Sequence, residues 1–312
     1  MNLSVVIPVY NGQHTIPELV ERLGKVLPGI CDSYETLLVC DGSPDDSWQV
    51  IEQLAARYPW VRGIGLMRNY GQHNALLCGV RAARYEVIFT MDDDLQHPPE
   101  EIPLMLAKLA EGYDVVFGVP KKMPHSWWRN ATSSITKNVV GYIMGYNSIR
   151  DISSFRVFRT HLRNAFDNYQ GPDLLLDVLL TWGTNRFGTV PVEESPRTIG
   201  KSNYSLVKLI KMALTLLTGY TTVPLRFASI LGFLFTILGM FVLVYVLVTY
   251  FTVGSIPGFS FLASAVIIFS GVQLFALGII GEYLARIFDR SYGRPTYKVF
   301  TTTDTDNEVK QA

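Results

Sequence analysis

Residues 87–100 read Val-Ile-Phe-Thr-Met-Asp-Asp-Asp-Leu-Gln-His-Pro-Pro-Glu, and this stretch sets the class of fold. A short apolar run ends at three consecutive aspartates, and Pro98-Pro99 then opens a pattern with helical spacing. The stretch therefore predicts a buried strand over Val87–Met91, which carries acidic side chains at its carboxyl end and leads into a helix.

The same order of strand and helix recurs over the first 120 residues. Apolar runs of strand length alternate with helical patterns of about ten residues. The predicted strands are Leu3–Val9, Thr36–Cys40, Val61–Met67, Val87–Met91 and Asp114–Val119, and the helices between them cover about 16–23, 47–58, 74–83 and 99–110. This alternation is typical of βαβ units, so the sequence predicts an α/β, doubly wound and mostly parallel sheet.

Polar residues follow three of these predicted strands where each strand ends. They are Tyr10 and Asn11, then Asp41 and Gly42, then Asp92–Asp94. Ligands of such sheets bind outside the carboxyl ends of the strands. We therefore expect the three groups to meet at one edge and to form the active site.

The overall composition is neutral and apolar. The chain has 312 residues, with 27 basic and 27 acidic side chains, and this balance gives no support for a protein that binds polyanions. Only 17% of residues are charged while 48% are apolar, which excludes a disordered chain. Three cysteines without a CxxC pair predict reduced, structural thiols.

The apolar surplus lies near the carboxyl end. From Phe227 to Gly281 no residue is Asp, Glu, Lys, Arg or His, and the segment Gly254–Gly258 interrupts this run with glycine and proline. Two membrane spans are predicted, at about Ala228–Phe251 and Phe259–Tyr283, because each is long enough to cross a bilayer. The alternative is a buried helical hairpin in a soluble core.

Basic residues flank both spans, while the loop between the spans has no charge. The flanking residues are Lys208, Lys211, Arg226, Arg286, Arg290, Arg294 and Lys298. The positive-inside rule then places both termini in the cytoplasm. The apolar stripe of Leu206–Leu217 predicts an interfacial helix, with core packing as the alternative. The expected boundaries are a catalytic domain at 1–203, an interfacial region at 204–226, a membrane domain at 227–284 and a cytoplasmic tail at 285–312.

The motifs narrow the class of ligand. The Rossmann pattern is absent after the first strand, and Gly200-Lys201-Ser202 lacks the upstream glycine of a Walker A loop. Adjacent carboxylates repel one another unless a cation neutralises them, and Mg²⁺ or Mn²⁺ suits carboxylates that share the metal with a diphosphate. An acidic helix N-terminus is the alternative reading of the aspartates.

Three segments together resemble the inverting family 2 glycosyltransferases of GT-A fold: Val6–Asn11, Asp41–Ser43 and Met91–Glu100. The third is similar to the corresponding stretch of polyprenyl-phosphate glycosyltransferases, which include dolichyl-phosphate mannose synthase. The segments Arg68–His73 and Gly281–Pro295 resemble the bacterial undecaprenyl-phosphate branch of that group.

The resemblance implies roles for the residues at the predicted sheet edge. Nucleotide binding is implied for Pro8, Tyr10, Asn11, Asp41 and, less directly, Asp93, with a UDP-sugar as the donor. Asp92 and Asp94 match the two carboxylates of the D-x-D motif and are implied catalytic residues. Asp94 and Gln96 are the implied ligands of the Mg²⁺ or Mn²⁺ cofactor.

The resemblance also implies a site for the phosphate of a polyprenyl phosphate acceptor. The matching residues are Arg129, Ser133, Arg156, Arg197, Lys201, Ser202 and Tyr204. Asp151 resembles an acid that acts as a catalytic base, and orienting Arg156 is its alternative role. Asn203 stands where the family usually has Lys, and the basic pair expected after the fifth strand is replaced by Pro120-Lys121-Lys122-Met123.

The implied function is the transfer of a sugar to undecaprenyl phosphate at the cytoplasmic face of the bacterial inner membrane, for glycans or lipid A of the cell envelope. Small residues in the spans suggest a homo-oligomer, and no nucleic acid partner is expected. Two alternatives stay open: a polysaccharide-elongating transferase, although the sequence has no Q-x-x-R-W stretch, and a non-catalytic lipid-sugar binder or flippase component.

Overall fold

The computed structural model describes residues 1–121, 153–171, 174–195, 221–254 and 258–304, and the chain divides into two compact units. The first unit comprises Met1–Tyr204 together with Arg294–Ala312, and the second comprises Ser205–Gly293. The second unit is therefore inserted into the chain of the first.

The first unit alternates strands and helices as the sequence predicts. Its strands are β1 (Asn2–Val9), β2 (Ser33–Cys40), β3 (Val61–Leu66), β4 (Val87–Thr90), β5 (Val115–Pro120), β6 (Arg156–Arg159), β7 (Phe187–Val192) and β8 (Val299–Thr302). Its helices are α1 (Ile16–Val26), α2 (Ser47–Arg57), α3 (Gln72–Ala82), α4 (Ile102–Ala110) and α5 (Leu176–Gly183). The five predicted strands correspond to β1 to β5, with ends displaced by at most a few residues.

The strands form one mixed sheet in the order β7-β5-β6-β4-β1-β2-β3-β8. β1 is central and pairs in parallel with β2 and β4, while β2 and β3 are also parallel. β6 is antiparallel between β4 and β5, and β8 is antiparallel at the edge beside β3. The predicted fold class is confirmed, with β6, β7 and β8 as strands that the sequence pattern did not reveal.

Both faces of the sheet are buried over β1 to β4 and most of β5, which explains why these strands read as continuous apolar runs. Leu3, Val5, Ile7 and Val9 of β1 pack on the side of α1, α2 and α4. Val6 of β1 packs on the other side, in the cluster that includes the buried residues of α3 and α5. This packing fixes the sheet and hence the positions of the loops at its carboxyl edge.

The end of the chain returns to the sheet as β8, whereas the sequence analysis expected a separate tail over 285–312. Leu66 of β3 faces Val299 in the register, and the Met67 N–H donates to the Lys298 carbonyl at 2.9 Å. A buried ion network holds this strand, since Arg62 lies between Glu35 and Asp304, and Glu35 also accepts from the Ser4 hydroxyl at 2.7 Å. Part of this tail therefore belongs to the sheet of the first unit.

The second unit contains two long helices, α6 (Val223–Val253) and α7 (Phe259–Ser291). Within the described residues, Val223–Thr252 and Ile268–Phe288 are long and apolar enough to cross a membrane. Their aromatic side chains are largely exposed, for example Phe241 at 69%. Phe235 and Phe269 meet edge to face at 5.9 Å between ring centroids, which links the two helices. The structure thus has the pair of apolar helices that the sequence predicted.

Breaking the ion network should destabilise the first unit. Arg62→Met leaves the buried carboxylates of Glu35 and Asp304 without their partner, so we expect the free energy of unfolding to fall by about 3–5 kcal/mol. Arg84→Met is the matched control, because Arg84 is half exposed and lies 3.8 Å from the same Asp304. Its effect should stay below about 1 kcal/mol. Denaturant unfolding in detergent measures both, and equal losses would contradict a special role for Arg62.

Candidate active site

A cleft of about 470 Å³ opens at the carboxyl ends of β1, β2 and β4. It is lined by Pro8, Val9, Tyr10, Asn11, His14, Thr15, Asp41, Asn69, Gln72, Asp92, Asp93 and Asp94. The three polar groups that follow the predicted strands therefore meet in one cavity. All of the residues expected to bind nucleotide line it, together with both acids of the D-x-D motif.

The loop after β1 is held against the loop after β2. Asn11 has a left-handed backbone with φ 57°, and its N–H donates to the Ser43 Oγ at 2.8 Å. The Gly12 N–H donates to the Ser47 Oγ at 3.0 Å. Asp45 accepts from both serine hydroxyls. Burial on its own raises the pKa of Asp45, but these hydrogen bonds outweigh it and lower the pKa overall.

Asp41 is buried, with 2% of its surface exposed, and it anchors the loop after β3. Its carboxylate accepts the Tyr70 N–H at 2.7 Å and the Gly71 N–H at 2.8 Å. Burial nevertheless raises the pKa of this carboxyl. The neighbouring Gly42 has φ +58°, and a Cβ there would lie 2.3 Å from the Arg68 carbonyl carbon. Only glycine allows this approach of the two loops without strain.

Asp92 is fixed through both oxygens of its carboxylate. The Gln72 Nε2 donates to one oxygen at 2.6 Å, and the Ser154 Oγ donates to the other at 2.6 Å. Burial raises the pKa of Asp92, and the Ser154 hydrogen bond opposes that shift. Asp92 therefore enters the cleft in one defined orientation.

Asp93 lies beneath the loop that follows β1. A Cβ on Gly12 would be 2.3 Å from its Oδ2, and that oxygen is buried without a hydrogen-bond partner. Burial, with the charge of Asp92 as the next cause, raises the pKa of Asp93 to about 7. A carboxylate in this setting favours a nearby positive charge or a proton.

Asp94 and Gln96 follow in a tight turn. The Gln96 N–H donates to the Asp94 Oδ1 at 3.1 Å, and Leu95 between them has φ 61°. Among the described residues, no three His, Cys, Asp or Glu side chains converge as a metal cage. The side-chain oxygens of Asp94 and Gln96 are instead of the type that suits a hard cation that takes its other ligands from a diphosphate.

Arg156 is placed differently from the expectation that it contacts an acceptor phosphate. As part of β6, between β4 and β5, its side chain is 1% exposed. Its Nε donates to the Thr90 Oγ1 at 3.0 Å, and its guanidinium pairs with Asp177 of α5. Burial lowers the pKa of Arg156 to about 10. A direct contact with an acceptor does not fit this position.

Sequence reasoning missed several residues that shape the cleft: Gln72, Ser154, Ser43, Asp45 and Ser47. The sequence does contain a signal for Gln72, because it follows the predicted third strand, and polar residues after parallel strands gather at one edge. Ser154 was not, because β6 had not been recognised.

The remaining predicted site residues lie outside the described part of the chain. They are Asp151, Arg129, Ser133, Arg197, Lys201, Ser202 and Tyr204. Their roles stay predictions.

Comparison with known structures identifies similar folds. The structure of glucosyl-3-phosphoglycerate synthase from Mycobacterium tuberculosis in complex with Mn²⁺, UDP and glucosyl-3-phosphoglycerate is 17% identical, covering 70% of this chain and 77% of that chain with a TM-score of 0.51. S. aureus TarS 1-349 in complex with UDP is 21% identical, covering 70% of this chain and 65% of that chain with a TM-score of 0.50. At these identities the likeness concerns the fold.

The sequence supplies the family. The profile described as "Glycosyl transferase family 2" matches residues 4–169, which is more than half of the chain and contains most of β1, all of β2 to β6 and every described residue of the cleft. Together with a mixed sheet of GT-A type and an acidic cleft at its carboxyl edge, this match means that the chain belongs to glycosyl transferase family 2.

Proposed function

We propose that this protein transfers a sugar from a UDP-sugar to a polyprenyl phosphate, with undecaprenyl phosphate as the acceptor, at the cytoplasmic face of the bacterial inner membrane. The observation that carries the proposal is the cleft in which Asp92–Asp94 face the loops after β1 and β2, in a family 2 chain that also contains two apolar helices. The first feature suits a nucleotide-sugar donor, and the second suits a lipid acceptor.

The donor end of the cleft suits a uridine nucleotide. The structures of similar fold from M. tuberculosis and S. aureus were both obtained with UDP, and the former also with Mn²⁺. Pro8, Tyr10, Asn11 and Asp41 would surround the nucleoside here, while Asp93 supports the loop above it.

Asp94 and Gln96 would hold Mg²⁺ or Mn²⁺ beside the diphosphate. When bound, the cation supplies positive charge against the negative charge that builds on the departing UDP. Asp92, locked by Gln72 and Ser154, presents its carboxylate to the donor in a fixed geometry. A fixed carboxylate lowers the cost of reorganising the site during the reaction.

The acceptor phosphate is a sufficient nucleophile. The second pKa of a phosphate monoester is about 6, so its oxygen is largely ionised near neutrality and needs no strong base. An attack on the anomeric carbon from the face opposite UDP inverts the configuration at that carbon. We propose that Arg129, Ser133, Arg197, Lys201, Ser202 and Tyr204 bind this phosphate, and that Asp151 assists as a base.

The helices α6 and α7 suit an anchor with both chain ends in the cytoplasm. Basic residues flank the pair, and the segment between them has no charge, as the positive-inside rule requires for this orientation. Catalysis at that face would give the enzyme direct access to cytoplasmic UDP-sugars. Glycines in the helices would also allow close packing in a homo-oligomer.

Turnover should depend on the phosphorylated lipid. With purified full chain, Mn²⁺ and a panel of UDP-sugars, we expect undecaprenyl phosphate to raise UDP release by roughly tenfold or more for one donor, with a lipid-linked sugar as the product. Undecaprenol without phosphate is the matched control and should give no increase. Equal UDP release with a soluble sugar acceptor and no lipid would refute the proposal.

Removing one cleft carboxylate should stop turnover without unfolding the protein. We expect Asp94→Asn to lower kcat by roughly 10²–10³-fold, because the variant would hold less tightly the cation that offsets the charge on the leaving diphosphate. Asp167→Asn makes the same change at an exposed residue outside the cleft and should leave kcat unchanged. Binding to vesicles that contain undecaprenyl phosphate should persist in both variants. Normal turnover by Asp94→Asn would contradict the proposed role of Asp94 as a ligand of the catalytic cation.

A further inference from the structure

We propose that Thr90, held by the buried Arg156, is a positioning residue, which acts through Ser154 to orient the carboxylate of Asp92. The inference rests on the proposed function, because Asp92 is taken to face the donor sugar. It differs from the sequence-based expectation in which Arg156 contacts the acceptor phosphate.

A continuous chain of hydrogen bonds connects Arg156 to Asp92 through Thr90 and Ser154. The Ser154 Oγ donates to the Asp92 Oδ2 at 2.6 Å, and the Ser154 carbonyl accepts from the Thr90 Oγ1 at 2.8 Å. The same Thr90 oxygen accepts from the Arg156 Nε at 3.0 Å. Thr90 therefore uses its hydroxyl once as an acceptor and once as a donor, which fixes the direction of its O–H bond.

At Arg156, this series of hydrogen bonds is anchored by an ion pair. Arg156 pairs with Asp177, which lies in the first turn of α5. Arg156, Thr90 and Asp177 are exposed by 1%, 0% and 6% respectively, so the network lies in a region of low dielectric. Electrostatic interactions there are strong, and the guanidinium cannot leave Asp177 without a large penalty. A rigid anchor of this kind holds Thr90, and thereby the backbone at Ser154, in place.

The contact between Ser154 and Asp92 needs such an anchor, because Ser154 precedes β6 rather than lying within it. The backbone there is tied to β4 through the Thr90 hydroxyl, one strand position before Met91 and two before Asp92. Gln72 holds the other oxygen of Asp92. With Thr90 in place, the two donors fix the plane of the carboxylate. Without it, Ser154 is free to shift and Asp92 keeps one fixed contact.

A purely structural role is the competing explanation, and the fold offers a matched control for it. Thr160 immediately follows β6, and its Oγ1 donates to the Tyr85 carbonyl at 2.5 Å near the opposite end of the β4–β6 pair. Thr160 and Thr90 thus make the same kind of bond across the same two strands. Only the Thr90 bond leads to the cleft.

The test compares Thr90→Val, Thr160→Val and Thr90→Ser in the full chain, with UDP-sugar and undecaprenyl phosphate. We expect Thr90→Val to lower kcat about tenfold while KM for the UDP-sugar changes by less than about twofold. Thr160→Val should leave both constants unchanged. Thr90→Ser keeps the hydroxyl and should restore the wild-type kcat. Thermal unfolding of each variant shows whether the two valine substitutions destabilise the fold to a similar extent.

A double variant tests whether Thr90 and Ser154 act in series. If they do, Thr90→Val combined with Ser154→Ala should have the kcat of the slower single variant, because both changes release the same carboxylate. Independent, multiplicative losses would overturn the proposal. So would equal losses of kcat in Thr90→Val and Thr160→Val, or a change confined to KM.

Measurements on the wild-type protein distinguish a failure of this inference from a failure of the proposed function. Failure of the wild type to transfer sugar to undecaprenyl phosphate would refute the acceptor and leave the network open to test by the hydrolysis of the UDP-sugar. The same ratio of rates between Thr90→Val and Thr160→Val is expected in that reaction, and equal rates there would overturn the positioning role.

Discussion

The structure depends on bringing like charges together at the edge of a buried sheet. Asp41, Asp92, Asp93 and Asp94 meet in one cleft because parallel strands end at the same edge. Burial raises the pKa values of Asp41, Asp92 and Asp93, and repulsion by neighbouring aspartates adds to this shift for Asp92 and Asp93. A protein can maintain such a site only if each carboxylate is given donors, or if a cation and a ligand complete it.

The chain meets this requirement in different ways at each carboxylate, and the differences separate scaffold from chemistry. Asp41 accepts two backbone N–H groups and so joins the loop after β2 to the loop after β3. Asp92 accepts two side-chain donors and is held in one orientation. Asp93 keeps one buried oxygen without a donor. The first arrangement builds the cleft, the second presents a fixed group to it, and the third leaves a buried carboxylate oxygen that favours a nearby positive charge.

The sequence was informative where local pattern and burial agree. β1 to β5 are buried on both faces, so their apolar runs were visible, and α1 shows its buried positions at helical spacing. The sequence was uninformative for strands whose partner strands lie far away along the chain. β6 and β8 have only four residues each and join the sheet through antiparallel partners far along the chain. Arg156 shows the consequence, because its match to the family resemblance implies a contact with the acceptor phosphate until its strand is known. Its partner Asp177 lies 21 residues away, and no local spacing marks that pair.

The return of β8 bears on the topology of the two apolar helices. Residues on both sides of the second unit belong to the same sheet-containing unit, since Val299–Thr302 pairs with β3 while β1 to β7 precede the helices. A chain that leaves and rejoins one folded unit must cross a bilayer an even number of times. An odd number of spans would separate Asp304 from Arg62 by a membrane, although they form a buried ion pair. Of the two candidate spans among the described residues, neither can therefore cross the membrane without the other. This argument from connectivity is independent of flanking charge and places both chain ends on the same side of the membrane, and the positive-inside rule then favours the cytoplasm as that side.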